Sequence, residues 1–183
     1  RSVAMSVPLG GSGPLLALVG SALQLGATAL FAGMLALTFH RSLERLRPWM
    51  GFVFLALACF VAQVALDGWH TWQMMVAPSR EVLLAQVATF QAPLRDLQIH
   101  GLALCMILGV SQRFLPPFLG TPETPASRGW LGLGAIAAGL LLESVLFVAL
   151  RLTGDHRWGV GLLLGWVLLA LGSALVVLPW KLW

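Results

Sequence analysis

Two histidines lie where lipid is expected. His100 is about a turn and a half inside an apolar run, Leu94 to Leu119. His70 is near the end of the preceding apolar run, with Asp67 one turn before it. An ionisable side chain inside a bilayer costs about 2.5–3.5 kcal/mol on insertion scales, so such groups face a protein interior and carry a function. Two neutral imidazoles at similar depth on neighbouring helices are a ligand set for a haem iron. Asp67, and Glu143 in a fourth apolar run, are suited to hold ligating histidines by their second ring nitrogen or to pass protons. His40 beside Arg41 reads as interfacial, and His156 between Asp155 and Arg157 as solvated.

The elements that must position these groups are membrane helices. The 183 residues are 58% hydrophobic and 10% charged, with a mean hydropathy of +0.88. Soluble domains carry about 25% charged residues. The chain is therefore expected to be an all-α, polytopic helix bundle in the lipid bilayer. Its net charge of +4 comes from basic residues scattered at helix ends, as loop charges are in membrane proteins, and does not point to nucleic acid. Cys59 and Cys105 lie inside apolar runs as packing residues. No Cys-x-x-Cys-His is present, so covalent c-type haem is not expected. The chain starts at Arg1 without methionine, and is read as part or a processed form of a longer protein.

A spanning helix needs about 20 apolar residues. Five runs qualify, at about 14–39, 48–75, 93–114, 129–150 and 158–177, forming one transmembrane domain. Pro14, Pro48 and Pro93 suit first turns, while Pro116, Pro117 and Pro179 suit ends. Trp49, Trp69, Trp72, Trp130, Trp158, Trp180 and Trp183 lie near span ends, as interfacial aromatic belts do. Arg41, Arg45 and Arg47 form the densest basic loop, which should be cytoplasmic. That places the N-terminus outside and Lys181 inside, in a membrane expected to be a bacterial inner membrane. Residues 76–92 read as a loop carrying a short surface helix, and 115–128 as an irregular inner loop.

Helical spacing stacks Gln63, Asp67, His70 and Met74 on one face of the second span. At 1.5 Å per residue, His70 is roughly 6–8 Å, His100 roughly 9–10 Å and Glu143 about 12 Å from the outer side. His70 and His100 are then expected to approach, with ring nitrogens roughly 4 Å apart for bis-imidazole ligation. Gly101, Cys105 and Gly109 make a small-residue groove beside His100. Such a groove suits a flat macrocycle, and equally suits close approach of a second helix. Arg95 and Arg80 suit haem propionates, or simple snorkelling to the interface.

The stretch from Leu94 to Pro116, with His100, Gly109-Val110, Arg113 and Pro116, resembles a histidine-bearing helix of the NnrS-type membrane haem proteins. It is similar also to divergent subunit-I-like members of the haem-copper oxidase group. The resemblance covers about 25 of the 183 residues, and here His100 and Gly109 are about one turn closer than in that pattern. It implies haem b in a nitric-oxide or respiratory-chain setting. It does not imply an oxygen-reducing centre, because three further histidines for a second metal are not in view. The leading expectation is a haem b protein for electron transfer, from quinol among other donors, or for nitric-oxide handling. One alternative is a non-haem metal or proton-handling protein using Asp67, His70, His100 and Glu143. Another is a structural subunit of a larger membrane complex, where one histidine would ligate chlorophyll magnesium if that complex is photosynthetic. No catalytic residue follows from the sequence.

The arginine cluster makes a direct prediction. A cysteine placed between Arg41 and Arg47 should resist an impermeant thiol reagent added outside intact cells. Labelling from outside would reverse the orientation.

Overall fold

The computed structural model describes residues 13–41 and 45–181. Trp183 lies outside them, as do the side chains of Pro14 and Met74. The described residues are helical and contain no strand. Helix α1 is Gly13–Arg41, α2 is Pro48–Val76 and α3 is Arg80–Asp96. A π-helical segment, Leu97–Leu104, joins α3 to α4, Cys105–Leu119. Helices α5, Ala126–Thr153, and α6, Arg157–Val177, follow, and a single 3-10 turn closes at Trp180. Five helices are long and apolar enough to cross a membrane. The chain is an integral membrane helix bundle.

The third span differs from the expectation. It is one helix of 40 residues, Arg80–Leu119, rather than a loop followed by a helix from Pro93. Ser79 caps it, its hydroxyl accepting the Val82 N–H at 3.3 Å. Forty residues extend about 60 Å, roughly twice the hydrocarbon thickness. Glu81, Gln86, Gln91, Arg95 and Asp96 make its first half too polar for lipid along its whole length. Pro93, Pro116 and Pro117 all lie inside the helix. Membrane helices tolerate interior proline when neighbouring groups re-satisfy the freed carbonyls. The stop comes only at Gly120, whose φ of 63° is costly for a residue with a Cβ. The expected irregular loop at 115–128 shortens to the few residues before Ala126.

Helix α2 is the centre of the bundle, touching α1, α3, the π segment, α4 and α5. Helices α5 and α6 form the closest pair. The core combines Phe52, Ala56 and Cys59 of α2 with Cys105 and Leu108 of α4, Ile136 and Leu140 of α5, and Leu169 and Val176 of α6. Apolar burial drives little association inside lipid, so close van der Waals approach must hold the helices together. Glycine supplies it between α5 and α6. A Cβ on Gly139 would stand 2.8 Å from the Gly165 carbonyl oxygen, and one on Gly132 would stand 2.9 Å from that of Gly172.

These contacts predict opposite outcomes for two glycines of one helix. Gly139→Leu should destabilise the bundle by about 1–3 kcal/mol or more, because backbone blocks the new side chain. Gly134→Ala meets nothing within 4 Å, and should be neutral or stabilising by up to about 1 kcal/mol. Denaturation in detergent measures both.

Candidate functional site

The π segment places His100 at the middle of the 40-residue helix, 20 residues after Arg80. It is therefore farther from the start of its helix than a count from Pro93 gives. A π turn adds a residue to a 3.6-residue turn, which rotates everything beyond it by about 100° relative to an uninterrupted α-helix. The faces of α3 and α4 are therefore out of phase. Leu97 is where the register loosens, its N–H reaching both the Leu94 and Pro93 carbonyls. π segments inside α-helices are frequent at functional sites.

His100 meets Glu143 of α5. Its Nδ1 lies 2.9 Å from Glu143 Oε2. The other carboxylate oxygen, Oε1, accepts the indole N–H of Trp166 on α6 at 2.7 Å. Glu143 is 4% exposed, so protein donors replace the water it lacks. The glycine contacts explain how Trp166 gets there, since a Cβ at Gly165 would stand 3.3 Å from the Glu143 backbone nitrogen. Asp96 completes the cluster from one turn before His100. Ligand atoms of Asp96, His100 and Glu143 all lie within 4.8 Å of one another. Asp96 is buried, and Arg95 approaches it at 3.7 Å from an exposed position. Among the described residues, His100 Nε2 has no hydrogen-bond partner, and the side chain is 33% exposed.

Sequence reasoning placed His100 and Glu143 near each other, and they are bonded. It missed Asp96 and Trp166. Asp96 had a signal in its spacing of four from His100, and Trp166 in being the tryptophan in the middle of a span.

His70 is elsewhere. Its ring packs against Trp69 at 5.3 Å and Phe90 at 5.6 Å between centroids, and its Nε2 is buried without a partner. Phe90 is ten residues before His100 on the same helix, about 15 Å along the axis. His100 instead stands at the level of Cys59, because a Cβ on the adjacent Gly101 would lie 2.6 Å from Cys59 Cβ. The two imidazoles therefore do not flank one iron. The reason is position along α2, where His70 lies 11 residues beyond Cys59, about 16 Å along the axis, and meets Phe90 there.

Asp67 is exposed and lines a polar cleft with Gln63, Gln91, Arg95 and Gln98, rather than bonding to His70. The small-residue groove is filled by α2. Cys59 covers Gly101, and the Trp49 carbonyl, Phe52 and Val53 cover Gly109. Cys105 is fully buried, and its thiol bonds the His100 carbonyl at 3.4 Å. No macrocycle fits along Gly101, Cys105 and Gly109 while α2 is in place. Arg95 remains near His100, whereas Arg80 is 20 residues away, about 30 Å. His40 ends α1 and His156 precedes α6, at opposite ends of the bundle.

Comparison of the chain with protein-family models, curated proteins and solved structures finds no match.

Glu143 joins three helices, which makes its removal diagnostic. Glu143→Ala should cost about 1–3 kcal/mol, because it leaves the Trp166 indole N–H and His100 Nδ1 without partners. Trp166→Phe removes a single donor and should cost less, roughly 1 kcal/mol. Unfolding of both variants in detergent, with the double variant to expose non-additivity, measures this coupling.

Proposed function

We propose that the chain is a haem b-binding protein of a bacterial inner membrane, with His100 as an iron ligand through Nε2 and nitric-oxide handling as its role. The contact between Glu143 and His100 Nδ1 carries this reading. A histidine that ligates a metal usually gives its other ring N–H to a carboxylate, which fixes the tautomer and raises ligand basicity. With Nδ1–H donated to Glu143, the lone pair stands on Nε2, the nitrogen without a protein partner. The resemblance of Leu94–Pro116 to a ligand helix of NnrS-type proteins agrees with haem. A bound haem would supply iron, which takes small diatomic ligands. Among the described residues no second histidine reaches His100, which favours small-ligand handling over bis-histidine electron transfer from quinol. The haem would have to stand on the open edge of His100, since α2 occupies the glycine side. Arg95, exposed and five residues from His100, is the cation available to a propionate.

A second reading rests on Asp96. One nitrogen and two carboxylate oxygens within 4.8 Å suit a non-haem divalent metal, or a proton relay inside the membrane. In the haem reading Glu143 orients His100, in the metal reading it is itself a ligand, and in both Trp166 orients Glu143.

Reduced-minus-oxidised spectra and metal analysis of the purified chain decide between them. Haem binding predicts a Soret band and an alpha band in wild type, both lost in His100→Ala and retained in His70→Ala and His156→Ala. Glu143→Gln should weaken haem retention about 10–100-fold. A chain with no haem but with bound metal lost in Asp96→Asn would replace the haem reading with the second. Haem retained in His100→Ala would remove His100 as its ligand.

A further inference from the structure

The other end of the bundle has a cavity that the histidine cluster does not use. Helices α2 and α5 begin there, and α4 approaches its end. Arg47, Trp49, Gln112 and Arg113 line a volume of about 250 Å³, together with Glu123 and the first residue of α5, Ala126. One water takes about 30 Å³ of liquid, so the space accommodates a polyatomic group.

Its walls are dominated by donors. Arg47 and Arg113 each have no carboxylate within 4 Å among the described residues. Arg113 lies over the Trp49 ring, 5.9 Å from its centroid, which fixes one guanidinium on the cavity wall. The Trp49 indole nitrogen and the Gln112 amide nitrogen are buried and have no partner. Both atoms are closed to water, so they stand behind the cavity wall rather than on it. Neither α2 nor α5 has a side-chain cap, so both bring partial positive charge to this end. Among the described residues Glu123 is the one acid on the wall, and it is exposed, as are Arg47 and Arg113. The set has two guanidinium groups, one of them held over the Trp49 ring, and one solvated carboxylate. An oxyanion with several acceptor oxygens answers it, and guanidinium pairs well with phosphate.

We propose that this cavity binds a phosphate group. It lies at the start of two spans, which is the level of lipid headgroups, so an anionic phospholipid is one source and a soluble phosphate compound is the other.

Thermal unfolding of the full chain in lipid nanodiscs separates the sources. One series replaces phosphatidylcholine by phosphatidylglycerol, and the other adds inorganic phosphate at constant ionic strength. Stabilisation by phosphatidylglycerol alone assigns the site to a lipid headgroup. Stabilisation by millimolar inorganic phosphate assigns it to a soluble phosphate. In either case Arg47→Gln and Arg113→Gln should each weaken the apparent affinity about tenfold or more. Trp49→Leu, which removes the ring under Arg113, should weaken it by a smaller factor. Arg128→Gln, an exposed arginine at the same end that does not line the cavity, should leave the response unchanged. No stabilisation by either compound, or equal stabilisation of wild type and both arginine variants, would overturn the proposal.

Discussion

A carboxylate deep in a membrane bundle has no water to accept hydrogen bonds from, so the protein must supply every donor. Glu143 is that group here, and the arrangement of three helices follows from it. Its two oxygens reach Trp166 on α6 and His100 on the third span. The first contact needs α5 and α6 nearly in backbone contact, which Gly139 and Gly165 permit. The second needs His100 turned toward α5 while Gly101, the next residue, stays against Cys59 of α2. Adjacent residues of a helix point about 100° apart, so one turn meets both neighbours, and the π segment around them shifts the phase between the two halves of the helix.

Polar chemistry is divided between three levels. The Asp96–His100–Glu143 cluster occupies the middle, where unpaired charge is most costly and close pairing most effective. A polar cleft between α2 and α3, lined by Gln63, Asp67, Gln91, Arg95 and Gln98, lies on one side of it. The arginine-lined cavity lies at the other end. His70 belongs to none of these, being enclosed by Trp69 and Phe90. Aromatic enclosure suits the apolar body of an imidazole, and the unpartnered Nε2 is its cost.

The same physics explains why the small-residue stripe of the third span serves packing. Without a hydrophobic driving force between helices, lipid-embedded bundles gain stability wherever backbones approach closely. Gly101 and Gly109 allow α2 that approach, and their surface is consumed by it. A cofactor bound at His100 must then use the imidazole edge that faces away from α2. This constraint bears on the haem reading more strongly than the presence of any one polar residue.

The sequence by itself determined the fold class and the existence of five spans, because length and hydropathy are properties of each helix alone. It also singled out His100 and Glu143, since ionisable residues in apolar runs are conspicuous without any tertiary information. It misplaced the ends of the third span. Pro93, Pro116 and Pro117 looked like boundaries, but a helix supported by neighbours runs through all three until Gly120. That one difference moved His100 to mid-helix. Only the tertiary structure decided which polar groups meet. Azimuth around each helix is set by packing and by the inserted π residue, and neither leaves a mark in a count of 3.6 residues per turn. Trp166 entered the cluster and Asp67 stayed out of it for that reason, whereas His70 is separated from it by height along the bundle.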